Sequence, residues 1–171
     1  MTRPVHLTLL FSACLWLAGC ATTIPTDVDR PVSIAYSDPG ETELGRFFQA
    51  EISAHPGESG VVLVPTGEWG FRARAGLSNQ AEKTIDVQYY IWETDTAGSI
   101  LAERLMRAAD RGVRVRMLID HVTTSDTDFK FARMTYHPNI EIRVFNPYAN
   151  RGFRTLEFVF GLERLNHRMH N

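Results

Sequence analysis

Disulfides can hold nothing together in the body of this chain. Its only cysteines, Cys14 and Cys20, fall within the first twenty residues, so the remainder must fold on core packing alone. A surplus of charge of either sign is also missing. Eighteen Lys and Arg stand against 20 Asp and Glu, a formal net charge of -2 with a pI near 6.3. That balance excludes the broad electrostatic footprint of a nucleic-acid binder, so no nucleic-acid partner is expected. Any anionic ligand must be held locally. No apolar run reaches the roughly 20 residues needed to span a bilayer, and no internal repeat is visible. What is present, 44% hydrophobic and 22% charged residues over 171 positions, suits one globular domain with a sizeable core.

The N-terminus carries a self-contained signal. Arg3 and His6 form a short basic region, Leu7 to Trp16 is apolar except for the hydroxyl residues Thr8 and Ser12, and Leu17-Ala18-Gly19-Cys20 follows. An apolar run this short reads as a signal-peptide core. Small residues before a cysteine make a lipobox and resemble bacterial lipoprotein signals. That resemblance implies removal of residues 1–19, acylation of Cys20, and a lipid anchor holding the protein to a membrane of the bacterial envelope. Ala21 after the cysteine resembles outer-membrane sorting, which puts the expected location at the periplasmic face of the outer membrane.

Residues 20–40, rich in Thr, Pro and Asp, read as a lipidated tether. Asp38-Pro39-Gly40-Glu41 then has the residue types of a helix start. The spacing of Leu44, Phe47, Phe48 and Ile52 predicts a helix with one apolar face packed on the domain, ended by Pro56-Gly57. An alternation of element types follows. Gly60 to Pro65 reads as a short buried strand. A helix is predicted over about 68–82 with Phe71, Ala75 and Leu77 inward. A strand follows over 84–92, with Ile85, Val87, Tyr89 and Ile91 on one side of the pleat and Asp86, Gln88 and Tyr90 on the other.

The clearest helix spans about 96–111. Leu101, Leu105, Ala108 and Ala109 form its stripe and Gly112 stands as its stop. A strand over 113–120, a weaker helix around 127–135 and a strand over 140–145 complete the pattern. Strand, helix and strand with connections this short mean parallel crossovers. The expected class is α/β, a mostly parallel sheet flanked by helices, with ligands near the carboxyl ends of its strands.

Four ordered blocks carry a family resemblance: Thr84 to Trp92, Gly112 to Asp120, His137 to Pro147, and Asn166 to Asn171. Together they resemble the successive N-terminal blocks of cardiolipin synthase-like phospholipase D proteins, over roughly residues 60–171. The resemblance implies the incomplete first half of a two-lobed phospholipase D fold, residues 41–171 forming a partial N-terminal domain. It places His170 as the histidine of the first HxKxxxxD motif, with Asn171 as the following residue and Arg168 beside it as candidate substrate contacts. In the family mechanism the imidazole attacks phosphorus, a second histidine protonates the leaving alkoxide, and lysines neutralise the nonbridging oxygens. It needs no metal and no cofactor. The implied substrate is a phospholipid such as phosphatidylglycerol. The implied activity of the full-length protein is phosphatidyl transfer to give cardiolipin, or phosphodiester hydrolysis. The 171 residues hold neither the motif's lysine and aspartate nor a second motif, so this stretch by itself is expected to be inactive; a non-catalytic truncated lipoprotein and the nuclease branch of the superfamily are the alternatives.

Other groups carry competing readings. His167 and His170 lie three apart, which on a helix could suit zinc, but on the strand that the resemblance implies they face opposite ways, so no metal site is expected. Asp120 and His121 either line a cleft or cap a loop. Arg111, Arg114 and Arg116 either meet phosphate or form the wet side of a half-exposed strand. Tyr89, Tyr90 and Trp92 read as core or cleft wall.

Overall fold

A computed structural model describes residues 32–120, 128–145 and 147. Within them a three-stranded sheet is built from β1 (Thr84–Tyr89), β2 (Arg114–Asp120) and β3 (Ile140–Phe145) in the spatial order β1-β2-β3. Both pairings are parallel, with Ile85 opposite Val115, Val87 opposite Met117, and Val115 opposite Ile140. The helical elements are α1 (Glu43–Phe47), α2 (Gln49–Ala54), α3 (Gly67–Gln80), α4 (Thr96–Asp110) and α5 (Asp128–Met134), preceded by a 3-10 turn at Pro39–Glu41. The α/β class with a parallel sheet is as the periodicity predicts. Among the described residues no helix is long and apolar enough to cross a membrane.

The core sits between the sheet and α4. On the central strand, alternation puts Val115, Met117 and Ile119 on one face, each 0–2% exposed, and Leu101, Leu105, Ala108 and Ala109 of α4 meet that face. Local chemistry fixes both ends of α4. The Asp95 carboxylate accepts from the Gly98 amide at 2.8 Å. At the other end Val113 N donates to Ala108 O (3.1 Å) and Gly112 N to Ala109 O (2.9 Å), with Gly112 at φ +92°. This is the paired closure that favours glycine in the left-handed region.

Helix α3 starts where the Thr66 hydroxyl accepts from Trp69 N. Its inner stripe is Phe71, Ala75 and Ser78, which corrects one expectation: Leu77 is 53% exposed. Two residues on from Ala75 it lies about 200° around the helix, off that stripe. The C-terminus of α3 is closed from outside. Arg111 Nη2 donates to the carbonyls of Ser78, Asn79 and Ala81 at 3.0, 3.0 and 3.2 Å, satisfying acceptors that a helix end leaves open.

Two further expectations are corrected. Gly60 to Pro65 forms no strand; Val61, Val62 and Leu63 are 81–91% exposed. Strand propensity reports packing against neighbours, and among the described residues no strand pairs with this run. The predicted helix after Asp38 is present but in pieces. Thr42, not Asp38, caps α1, accepting from Gly45 N at 3.0 Å, and the chain breaks at Phe48. Leu44 is half-buried, whereas Phe47, Phe48 and Ile52 are exposed, so the apolar face is not packed on the domain.

Candidate functional site

In a parallel sheet the carboxyl ends of the strands open onto one edge, where ligands gather. Here that edge is formed by Tyr89, Asp120 and Phe145, with Asp120 and Phe145 at paired positions. Asp120 is 6% exposed, a carboxyl group held inside the protein at the mouth of the central strand. Burial of an acid is costly without hydrogen-bonding or charged partners, so such a position marks a built environment and not a surface accident.

The wall of this edge is aromatic. β1 leaves the ladder after Tyr89, so Tyr90 and Ile91 are about half exposed, and the chain then turns Trp92 back into the core. The Trp92 ring lies edge-on to Tyr89 (4.9 Å between centroids) and to Phe131 (5.7 Å). The strand predicted to run to Trp92 therefore ends three residues earlier. The competing fates of its aromatics divide: Trp92 is core, Tyr89 half-buried, Tyr90 exposed.

Alongside β1 runs a groove of about 730 Å³, within the size range of ligand clefts. Leu101, Leu105 and Val87 contribute apolar lining, and Arg74 and Lys83 contribute cations. The Arg74 guanidinium carbon lies 5.9 Å from the Tyr89 ring centroid, a cation–π approach. An apolar trough with one cation, Arg74, near the carboxyl edge and another, Lys83, at the amino end of β1 suits an amphiphile with an anionic head. Arg74 and Lys83 carry no signal in the sequence, since they come to line one groove only through the tertiary packing of the chain.

The three arginines read as possible phosphate contacts are engaged within the protein. Arg111 closes α3. Arg114 Nη2 donates to Ile34 O at 2.8 Å. Arg116 donates Nε and Nη2 to the two carboxylate oxygens of Asp86, both at 2.6 Å, and Nη1 to Ser33. The guanidinium beside Asp86 holds its carboxyl below the usual carboxylate range; the hydrogen bond is the main cause and partial burial opposes it. His170, Asn171, Arg168 and Cys20 lie outside the described residues, as does His121.

No family model matches the chain. Curated relatives do. Cardiolipin synthase C of Escherichia coli (strain K12) is 44% identical over 119 residues, covering 70% of this chain and 25% of that protein. An uncharacterized protein of Helicobacter pylori (strain ATCC 700392 / 26695) is 34% identical over 166 residues, covering 95% of this chain and 33% of that protein. A cardiolipin synthase of Oceanobacillus iheyensis is 28% identical over 89 residues, 52% of this chain and 19% of that protein. The chain belongs to the cardiolipin synthase-like phospholipase D superfamily. It spans about a quarter to a third of the length of the first two relatives. In this cardiolipin synthase-like chain, three of the four blocks fall largely on described elements: β1, β2 with its preceding turn, and β3.

Proposed function

We propose that the full-length protein to which this chain belongs carries out phospholipase D-type phosphatidyl transfer, using a phospholipid such as phosphatidylglycerol to make cardiolipin, with the second imidazole supplied from outside these 171 residues. The observation that carries this reading is the 44% identity over 119 residues to a protein named cardiolipin synthase C. The carboxyl edge of the sheet, with its aromatic wall and the groove beside β1, supports it as a cleft for an amphiphile.

In the proposed reaction the His170 imidazole attacks phosphorus. A phosphorus–nitrogen bond forms, the phosphorus–oxygen bond to the leaving headgroup breaks, and a second imidazole protonates the departing alkoxide. The acceptor hydroxyl, deprotonated by that second imidazole, then attacks phosphorus and releases His170. Water in place of the acceptor gives phosphodiester hydrolysis. Arg168 offsets charge on the nonbridging oxygens, and Asn171 hydrogen-bonds them. Acylation at Cys20 holds the protein at the periplasmic face of the outer membrane, where lipid substrate reaches it without a separate encounter step.

The test is thin-layer analysis of lipids from a cardiolipin-deficient bacterial strain expressing the full-length gene, as wild type and as His170→Ala. Cardiolipin with the wild type, lost with His170→Ala, supports transfer. No cardiolipin with a stably expressed wild type overturns it, and DNA cleavage by that product would point to the nuclease branch.

A further inference from the structure

The face of the sheet turned away from α4 is polar along β2, and a stretch of chain lies across it. Arg114 holds Ile34 O at 2.8 Å, and Arg116 Nη1 holds both the carbonyl (3.1 Å) and the hydroxyl of Ser33. One more attachment follows: Glu43 N donates to Glu82 Oε2 at 2.7 Å. Within the segment itself, Tyr36 OH donates to Glu41 Oε2 at 3.2 Å and Arg46 Nη1 to Glu41 O at 3.0 Å. Tyr36, Pro39, Thr42 and Leu44 then line the groove beside β1. Backbone carbonyls accept the main bonds, so the attachment reads the path of the chain and hardly its side chains. Arg116 is itself held in place by its two bonds to Asp86.

We infer that Arg114 and Arg116 form a buckle that straps residues 33–44 to the sheet and around its β1 edge, so that a tether to Cys20 can extend no further into the chain than residue 32. The consequence for anchoring rests on the reading of Cys20 as the lipidation site. Residues 20–32 reach at most about 45 Å when fully extended, whereas a tether free as far as residue 41 would reach about 75 Å. The buckle therefore sets how far the domain stands from the bilayer. It also keeps one wall of the groove in place.

The strap is tested on the full chain by limited proteolysis at neutral pH. Thermolysin is used for Val32 and Ile34 and chymotrypsin for Tyr36, comparing wild type with the double variant Arg114→Gln/Arg116→Gln. Cleavage of a folded chain tracks local opening. Cutting at 32–36 is expected to rise about tenfold in the double variant while β1 to β3 stay uncut. Equal rates in the two proteins overturn the buckle. If the double variant is cut throughout, Arg114→Gln alone decides, since it removes the bond to Ile34 O and leaves the Arg116–Asp86 pair in the sheet: about threefold faster cutting at 32–36 supports the buckle, and an unchanged rate overturns it. Palmitate labelling that disappears in Cys20→Ala tests the anchor separately. Label with equal cleavage rates refutes the strap and leaves the anchor standing. No label removes the standoff role, whatever the cleavage rates.

Discussion

Arg116 and Asp86 meet fork to fork across neighbouring strands, Nε to Oδ1 and Nη2 to Oδ2, each at 2.6 Å. They are register partners in the parallel pairing of β1 with β2, so the sheet itself sets the geometry. The pair has a signed dependence on pH. The folded-state value of the Asp86 carboxyl lies below its unfolded one. Its contribution is therefore present above the ordinary carboxylate range, near pH 4, and is lost as pH falls through the lower folded value. The Asp86 side chain is 49% exposed, so solvent screening limits the effect to under about 1 kcal/mol. Urea unfolding of Asp86→Asn and wild type should differ by that amount at pH 7 and converge as pH falls through the lowered folded value. A difference that persists undiminished at low pH would mean that Asp86 acts through something other than its charge.

Gly98 is the second case. A Cβ there would lie 1.9 Å from Glu93 O and 3.1 Å from Trp92 Nε1. Backbone cannot yield that much, so Gly98→Ala should cost about 2 to 4 kcal/mol despite alanine's better helix propensity. Thermal melts followed by circular dichroism measure it; a neutral or stabilising result would contradict the close approach.

Arg111 provides a third. Its three carbonyl contacts close α3, so Arg111→Met should destabilise by about 1 to 2 kcal/mol, with faster hydrogen exchange concentrated in the last turn of α3. Uniform loss of protection across the domain would contradict a local role.

Leu105 is 3% exposed at the centre of the α4 stripe. Leu105→Ala should cost about 2 to 5 kcal/mol, and the surface change Leu77→Ala under about 1 kcal/mol. Equal costs for the two would contradict the assignment of the inner faces.

How much of this is legible in sequence differs by element. α4 is so, because the stripe of Leu101, Leu105, Ala108 and Ala109 and the stop at Gly112 agree with one another; the Asp95 cap enters only with the structure. The parallel sheet follows from the short crossover between β1 and β2. The run Val61 to Val64 misleads, because apolar β-branched residues predict a strand only when a neighbour completes the ladder. Asp38 also misleads: its neighbours Pro39 and Glu41 mimic a cap, yet the backbone makes a 3-10 turn and Thr42 takes the role. The site divides likewise. The carboxyl edge at Asp120 follows from strand direction alone. The groove cations Arg74 and Lys83, and the grip of Arg114 and Arg116 on residues 33 and 34, depend on contacts between segments far apart in the chain. His170, Asn171 and Arg168 are legible only through the family resemblance.

The turn that carries Trp92 inward has an optical consequence. Trp92 is 6% exposed between two aromatic rings, while Trp69, at the start of α3, is 53% exposed. With the third tryptophan, Trp16, replaced by phenylalanine, one indole reports a dry environment and the other a wet one, so their emission separates by wavelength in the same molecule. A denaturation read at the blue edge follows the core around β1 and α5. The red edge, less open to change because Trp69 is already wet, supplies an internal reference for that signal.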